Sequence, residues 1–171
     1  MKTLIVYFSH PGENWMEEGL EDIKVGNTDK VAKRIAALLG ADIFEVKPAK
    51  DYPHGYKACC DAARIELRGK DMPLYVGDID VSPYEVVIVG YPIWYGTYPR
   101  CFAKFLFDHD LSKKIVLPFS THEGSGLGKS MKDLAVDLPL SDLRGGLAIQ
   151  GCKAEQSDAS IKAWLRKNRL L

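Results

Sequence analysis

The chain of 171 residues is 46% hydrophobic and 27% charged, which is typical of a globular protein and excludes a disordered or low-complexity chain. Its 23 lysines and arginines balance its 23 aspartates and glutamates, so no net charge favours nucleic acid or an anionic membrane as a partner. At this length we expect one domain, residues 1–171, with a sizeable buried core.

The longest apolar stretches have the length of a strand, which predicts no membrane-spanning segment. The first residues, MKTLIVYFSH, are interpreted as a strand rather than a signal peptide, because no small-residue cleavage site follows them. The four cysteines form no CxxC pair and no zinc-ligand spacing: Cys59, Cys60, Cys101 and Cys152. We therefore expect free thiols in a cytoplasmic protein and predict no metal site.

The first half of the chain alternates strand and helix patterns. Strands are predicted at Thr3–Phe8 and Asp42–Lys47, and each is followed by a helix, at 27–39 and 54–69 respectively. A loop is predicted at 70–83. The first strand is almost entirely apolar, as expected when both faces of a parallel sheet are covered. The first helix has its apolar residues on one face, and Gly40 gives it a C-terminal stop.

The second half continues the alternation. Strands are predicted at Glu85–Gly90, Lys114–Phe119 and Gly146–Gln150. Three helices are predicted after these strands. The first begins at Pro99, the second contains Leu127, Met131 and Leu134, and the third begins near Ser157. This alternation favours an α/β fold, a parallel sheet with helices on both faces. Ligands bind such sheets at the carboxyl ends of the strands, where the strand order reverses, so the loops after strands one, three and four are the candidate binding loops.

The loop after the first strand begins with Ser9-His10 and joins the following helix at Gly26-Asn27-Thr28. Hydroxyl and amide side chains at a helix amino terminus favour an anion, since free backbone N–H groups and the helix dipole both attract negative charge. Ordinary helix capping by Asn27 or Thr28, with Ser9 as a turn residue, explains the same residues. The pattern alone leaves both interpretations open.

The loop after the third strand, YPIWYGTYPR (residues 91–100), is rich in aromatic residues but has neither strand nor helix periodicity. Aromatic rings on a loop at the end of a strand are suited to stacking against a planar ligand. Packing of these rings against a neighbouring subunit is the alternative explanation.

The loop after the fourth strand, THEGSGLG (residues 121–128), is followed by Lys129-Ser130, which resembles the end of a P-loop for nucleotide triphosphates. Glu123 stands where the first glycine of that motif belongs, and its carboxylate would repel phosphates. The loop also follows the fourth strand rather than the first, and no buried strand ends in an aspartate for the metal. These features argue against a P-loop nucleotide-binding protein.

Taken together, the three loops resemble those of flavodoxins and flavodoxin-like FMN proteins. The matching motifs are YFSH…GNTDKVA, VIVGYPIWYGTYPR and THEGSGLG, in the same order and after the same strands. The resemblance covers nearly the whole chain and implies a flavodoxin-like three-layer sandwich, with a five-stranded parallel sheet of order 2-1-3-4-5. It also implies FMN as the cofactor and electron transfer through this non-covalently bound flavin as the function.

The resemblance assigns site residues to each part of FMN. The phosphate would be held by Ser9, His10, Asn27 and Thr28. The isoalloxazine ring would be flanked by Pro92, Ile93, Trp94, Tyr95 and Gly96. The pyrimidine side of the ring would be lined, largely through backbone groups, by Thr121, His122, Glu123, Gly124, Ser125 and Gly126. A proton relay through the side chains of His122 and Glu123 is an alternative to this backbone role, and no catalytic residue is assigned.

Two features depart from the family pattern. Residues Pro11–Val25 (PGENWMEEGLEDIKV) are inserted in the phosphate loop, and Val25 replaces a threonine before Gly26. The insertion is interpreted as a surface excursion, a flap over the flavin or a subunit contact. The neutral net charge also differs from the acidic character of electron-carrier flavodoxins.

Two redox functions therefore remain open at the level of the sequence. The first is an electron carrier that serves a redox partner protein. The second is an FMN-dependent NAD(P)H oxidoreductase that acts on quinones or similar small-molecule acceptors. In either case we expect a cytoplasmic monomer or homodimer with no nucleic-acid and no membrane partner.

Overall fold

The structure, a computed structural model, describes every residue from Met1 to Leu171. Its strands are β1 (Thr3–Tyr7), β2 (Gly12–Met16), β3 (Gly19–Ile23), β4 (Asp42–Glu45), β5 (Lys47–Pro48), β6 (Tyr75–Val76), β7 (Val86–Pro92), β8 (Ile115–His122), β9 (Asp142–Leu143) and β10 (Leu147–Gln150). Its helices are α1 (Asn27–Leu39), α2 (Tyr56–Gly69), α3 (Arg100–Asp108), α4 (Ser130–Asp137) and α5 (Asp158–Lys167), and a 3₁₀ helix covers Gly151–Gln156. None of the helices is both long and apolar enough to cross a membrane.

The central sheet has parallel strands in the order β4-β1-β7-β8-β10, which confirms the predicted order 2-1-3-4-5 and the α/β class. The strand at the β10 edge is split, because β9 pairs with the start of β8 and β10 pairs with its end. The prediction at Gly146–Gln150 found only the second part, since the two residues of β9 are too few to show an apolar pattern.

The sheet is covered on both faces, because successive side chains of a strand point to opposite sides. In β1, Leu4 and Val6 join one hydrophobic cluster, whereas Ile5 and Tyr7 join the other. The first cluster includes side chains of α2, α3 and α4, and the second includes side chains of α1 and α5. This is the predicted three-layer sandwich, and it explains why the strands are apolar throughout.

Some element boundaries differ from the prediction because hydrogen bonds between distant segments are not visible in the apolar pattern. Helix α2 begins later than predicted, at Tyr56, where the Oε2 of Glu13 accepts the Tyr56 N–H at 2.9 Å. The predicted loop 70–83 contains β6, which pairs antiparallel with β5. Helix α4 begins at Ser130, so Leu127 lies in the loop before it.

The insertion between β1 and α1 folds as an antiparallel hairpin of β2 and β3. The backbone N–H of Glu13 donates to the carbonyl of His54 at 3.0 Å, and the His54 Nε2 lies 3.1 Å from a carboxylate oxygen of Asp22. These bonds join the hairpin to the segment before α2. The insertion is therefore packed against the rest of the chain and does not project freely from it.

Candidate functional site

A cavity of about 810 Å³ opens at the carboxyl ends of the central strands, where the strand order reverses between β1 and β7. The three loops selected from the sequence meet there. Most of the predicted site residues line the cavity: His10, Asn27, Thr28, Pro92, Ile93, Trp94, Tyr95, Thr121, His122, Glu123, Gly124 and Ser125. Ser9, Gly96 and Gly126 are not part of the lining.

Ser9 stabilises the start of α1. Its Oγ accepts the backbone N–H of Asp29 at 3.1 Å, which satisfies one of the free donors of the first turn. The residue at the N-cap position is Gly26, not Asn27 or Thr28. A Cβ atom at Gly26 would lie 2.1 Å from the Ser9 Oγ, so this contact requires glycine.

The first turn of α1 keeps polar groups without partners. The backbone N–H groups of Asn27 and Thr28 have no acceptor in the chain. The Asn27 Oδ1 and the His10 Nε2 are also buried without a hydrogen-bond partner. Buried polar groups are rarely left unpaired, so these groups together mark a site for a polar ligand. The Thr28 hydroxyl lies 2.7 Å from the Thr121 hydroxyl and links this turn to the loop after β8.

The loop after β7 makes a tight turn at Tyr95-Gly96. Both residues have positive φ angles, 51° and 83°, as in a type I′ turn. Trp94 and Thr97 exchange backbone hydrogen bonds of 2.8 and 3.3 Å across it. The carbonyl of Gly96 accepts the Lys129 N–H at 2.7 Å, so Gly96 contacts the α4 side and not the cavity.

The ring of Trp94 is held in place by other aromatic side chains. Its centroid lies 4.9 Å from that of Tyr52, 5.3 Å from that of Phe8 and 5.7 Å from that of His10, all in edge-to-face geometry. Such contacts fix a ring without covering it completely. Trp94 therefore presents a supported ring to the cavity, whereas the neighbouring Tyr95 is 50% exposed.

The loop after β8 is exposed at residues 123–125, and two side chains fix its backbone through hydrogen bonds. The His122 Nδ1 accepts the Gly124 N–H at 2.9 Å, and the Ser120 hydroxyl donates to the Gly126 carbonyl at 2.9 Å. Burial lowers the pKa of His122 below its usual value, so the ring is neutral at pH 7. Since its Nδ1 is an acceptor, the proton lies on Nε2, which is a hydrogen-bond donor.

Glu123 joins the loop after β8 to the 3₁₀ helix. Partial burial raises the pKa of its carboxyl above the usual value. A Cβ atom at Gly151 would lie 2.3 Å from the Glu123 Oε1 and 2.5 Å from the Asn27 Nδ2. Glycine at this position thus allows the 3₁₀ helix to approach both the loop after β8 and the start of α1.

The residues that would serve a P-loop are engaged elsewhere. The Lys129 Nζ forms an ion pair of 3.1 Å with Asp133, one helical turn away. The Ser130 hydroxyl donates to the carbonyl of Leu127 at 2.6 Å and accepts the Tyr91 hydroxyl at 2.9 Å. Neither side chain is among those that line the cavity. Gly-Lys-Ser is therefore the start of α4 and not a phosphate loop.

A comparison with protein families matches the model described as "Flavodoxin" to residues 23–168. The chain belongs to the flavodoxin family. The resemblance inferred from the three loops is thereby confirmed.

Solved structures agree with this membership. The flavodoxin-like chain is 27% identical to a candidate flavoprotein from Bacteroides eggerthii, with a TM-score of 0.79 and coverage of 97% of this chain and 96% of that one. A second candidate flavoprotein, from Bacteroides uniformis, is 25% identical, with a TM-score of 0.76 and coverage of 96% and 97%. A flavoprotein from Lactobacillus acidophilus, solved in complex with FMN, is 22% identical, with a TM-score of 0.67 and coverage of 91% and 97%. The search of curated proteins found no match.

Sequence reasoning missed several residues that line the cavity of this flavodoxin-like chain. Glu13, Asn14 and Trp15 come from the hairpin, Tyr56, Cys59, Cys60 and Ala63 from α2, and Gly151 from the 3₁₀ helix. The α2 residues have helical spacing typical of a core face, so their pattern gave no sign of a site. Trp15, the tryptophan of the insertion, was the one signal in the sequence that the insertion contributes to a site.

The charged groups of the cavity are unusual for a site that could hold an anion. Glu13 and Glu123 are its only charged side chains, and neither lysine nor arginine lines it. The Glu13 carboxylate accepts the N–H of Tyr56 at the start of α2. An anion bound in the cavity would therefore be held by backbone N–H groups and neutral side chains, with the α1 dipole in support.

Proposed function

We propose that this chain binds FMN non-covalently and transfers electrons through it. The observation that carries the proposal is the joint placement of three surfaces in one cavity: the unpaired donors at the start of α1, the supported ring of Trp94 and the exposed backbone of the loop after β8. Each of these surfaces matches one part of FMN. The FMN-bound relative from Lactobacillus acidophilus, which shares the fold, supports the proposal.

The start of α1 suits the phosphate of FMN. The N–H groups of Asn27 and Thr28 are free to donate, and the Thr28 hydroxyl and Asn27 amide are within the same buried turn. A helix amino terminus stabilises an anion through its partial positive charge, with contributions of roughly 0.3–1 kcal/mol per charge at exposed sites. Burial lowers the pKa of His10, so this residue is neutral at pH 7 and adds no formal charge there.

The remaining surfaces suit the isoalloxazine ring. Trp94 offers a planar face, and residues 121–125 offer backbone groups to the polar edge of the ring. The neutral His122 can donate from its Nε2 to a carbonyl oxygen or a ring nitrogen. Bound FMN would supply one- and two-electron transfer, and the protein would bind it, orient it and limit its contact with water.

Two further observations favour a small-molecule acceptor over a partner protein. The net charge of the chain is zero, so it lacks the overall negative charge that favours docking to a basic protein. The hairpin also lines the cavity with Glu13, Asn14 and Trp15, which narrows access from that side. An FMN-dependent oxidoreductase of small acceptors is accordingly the second candidate function. We further propose a cytoplasmic location, supported by four free cysteines.

A titration of the purified protein with FMN tests the proposal. We expect one equivalent to bind with a change in the visible flavin spectrum. At a free concentration of 100 times Kd, FMN should raise the free energy of unfolding by about 2.7 kcal/mol and the melting temperature by roughly 5–10 °C. Stabilisation by Mg-ATP without any response to FMN would contradict the proposal and favour a nucleotide triphosphate site.

A variant at the ring position tests the placement of the flavin. Trp94→Ala should weaken FMN binding about tenfold or more and shift the flavin spectrum, while Trp94→Phe should retain much of the affinity. The matched control is Phe107→Ala, because Phe107 is an aromatic residue on α3, 76% exposed and outside the cavity. An unchanged spectrum and affinity in Trp94→Ala would show that the ring binds elsewhere.

A further inference from the structure

The cavity has a second aromatic side, and two of its three aromatic residues, Trp15 and Tyr56, are not among the residues assigned to FMN. Trp15 of the hairpin, Tyr56 of α2 and Tyr95 of the β7 loop form this side, which we name the outer aromatic wall. Their exposed fractions are 50%, 38% and 50%, although aromatic side chains of this size are usually well buried. Cys60 and Ala63 line the cavity beside them.

Hydrogen bonds fix the outer aromatic wall. Tyr95 donates its hydroxyl to the carbonyl of Cys60 at 3.1 Å, which ties the β7 loop to α2. Glu13 accepts the N–H of Tyr56 at 2.9 Å, which ties the hairpin to the first turn of α2. The ring centroids of Trp15 and Tyr56 lie 6.1 Å apart. The rings are therefore pre-positioned and do not belong to a free loop.

The alternation of β2 explains why the wall is separate from the phosphate side. Glu13 and Trp15 share the strand face that meets α2. Asn14 and Met16 lie on the opposite face: the Asn14 Nδ2 donates to the carbonyl of His10 at 3.1 Å, and the Met16 Sδ lies 3.4 Å from the Asn27 Nδ2. One face of β2 thus contributes to the outer aromatic wall, and its other face contacts residues of the phosphate side.

The charges around the wall restrict its ligand. Two acidic residues, Glu13 and Glu123, line the cavity, whereas neither lysine nor arginine does. An anionic aromatic molecule would meet acidic groups of the same sign with no basic partner. A neutral or cationic planar molecule would bury its faces against the rings at no such cost.

We propose that the outer aromatic wall binds a planar aromatic electron acceptor of the quinone type, neutral or cationic, beside the flavin. This inference rests on the proposed FMN function and names the substrate class of that same cavity. A quinone held there would take up two electrons and two protons and leave as the hydroquinone, while the reduced FMN that supplies them returns to oxidised FMN. Trp15 and Tyr56 would position the acceptor and take no part in the proton transfer.

Binding to the oxidised, FMN-loaded protein tests the proposal without any turnover. The probes are 2-(hydroxymethyl)anthraquinone, which is neutral, and anthraquinone-2-sulfonate, which has the same ring system with a negative charge. In equilibrium dialysis we expect one molecule of the neutral probe to bind saturably, at least tenfold more tightly than the sulfonate. Trp15→Ala should lower the affinity for the neutral probe at least tenfold, and Trp15→Phe should retain most of the affinity. The remote Phe107→Ala should change the affinity less than twofold.

The same variants separate this proposal from the proposed function. If the wild-type protein binds no FMN, the proposed function fails, whatever the quinone result. If FMN binds but the neutral probe does not, or if Trp15→Ala binds it as tightly as the wild type does, only the acceptor site is overturned. A tenfold loss of FMN affinity in a folded Trp15→Ala variant would also overturn it, since Trp15 would then cover the flavin itself. Circular dichroism establishes that the variants fold.

Discussion

The amino termini of α1 and α4 look alike in sequence and differ in what their backbone groups bind. Both helices follow a glycine-containing loop at the carboxyl end of a central strand, and both have a hydroxyl-bearing residue in the first turn, Thr28 or Ser130. At α1, the N–H groups of Asn27 and Thr28 have no acceptor in the chain. At α4, the N–H of Lys129 donates to Gly96 and the N–H of Ser130 donates to Leu127.

This difference shows that a free donor, rather than a familiar motif, identifies an anion site. Gly-Lys-Ser before α4 resembles a phosphate loop, yet its donors, its lysine and its hydroxyl all have partners within the chain. Gly-Asn-Thr at the start of α1 is less conspicuous, but the N–H groups of Asn27 and Thr28 remain free in a buried turn. A full count of backbone hydrogen bonds decides between the two.

Removal of the phosphate from the ligand gives the largest expected effect. Riboflavin shares the ring and ribityl chain of FMN and lacks the phosphate, so it cannot use the donors of α1. Two or more hydrogen bonds to a charged group contribute about 1.5–3 kcal/mol each, which predicts an affinity at least about 100-fold lower. Fluorescence titration measures both ligands. Equal affinities would mean that neither helix terminus binds the phosphate.

A substitution at Gly26 tests whether the geometry of the α1 terminus matters. In Gly26→Ala the added Cβ would lie 2.1 Å from the Ser9 Oγ and 3.1 Å from backbone atoms of His10. We expect FMN affinity to fall about tenfold or more, with a loss of roughly 1–3 kcal/mol in the free energy of unfolding.

The matched control for Gly26→Ala is Gly145→Ala. A Cβ atom at Gly145 meets nothing within 4 Å, and Gly145 does not line the cavity. This variant should bind FMN and melt as the wild type does, in the same titration and thermal scan. An equal loss in the two variants would show that the effect at Gly26 is not specific to the α1 terminus.

The α1 side should also make stability depend on pH, through His10. Burial lowers the pKa of His10, so the unfolded chain binds a proton near pH 6.5 while the folded chain does not. This contribution to stability is fully present above pH 6.5 and is lost as the pH falls below it. Between pH 7.5 and 5.5 the melting temperature of the apoprotein should fall further in the wild type than in His10→Gln. Identical pH profiles would contradict this role of His10.

The smallest effect is expected at the α4 terminus. Lys129 is exposed and pairs with Asp133 in an ion pair between residues four apart, which contributes about 0.3–0.5 kcal/mol. Lys129→Ala should therefore leave FMN affinity within twofold and lower the melting temperature only slightly. A loss of tenfold or more in FMN affinity would reverse the comparison and assign the phosphate to α4.

The parts of the fold and site that are encoded locally could be predicted from the sequence. Unbroken apolar strands alternating with amphipathic helices indicated a parallel sheet, since each pattern reports the burial of its own segment, whereas the strand order was predicted from the resemblance to flavodoxins. The three loops at the carboxyl edge supplied most of the cavity lining for the same reason. The ends of strands and the starts of helices can be located from the pattern of neighbouring residues alone.

The parts that depend on contacts between distant segments could not be predicted. The sequence position of Ser9 does not reveal that its hydroxyl accepts the Asp29 N–H at the start of α1. Tyr56 shows the spacing of a core helix, and only the docking of the hairpin through Glu13 places it at the cavity. The insertion itself has no apolar face long enough to predict a hairpin.

The comparison between α1 and α4 is tested most directly by Thr28→Val and Ser130→Ala, each titrated with FMN and with riboflavin. Thr28→Val removes the hydroxyl that lies 2.7 Å from Thr121 in the α1 turn, and Ser130→Ala removes the corresponding hydroxyl of α4. We predict that Thr28→Val lowers the affinity for FMN about tenfold and leaves the affinity for riboflavin within twofold of the wild type. Ser130→Ala should change the ratio of the two affinities by less than twofold. If Ser130→Ala instead lowers the preference for FMN over riboflavin and Thr28→Val does not, the phosphate lies at α4 and its assignment to α1 is wrong.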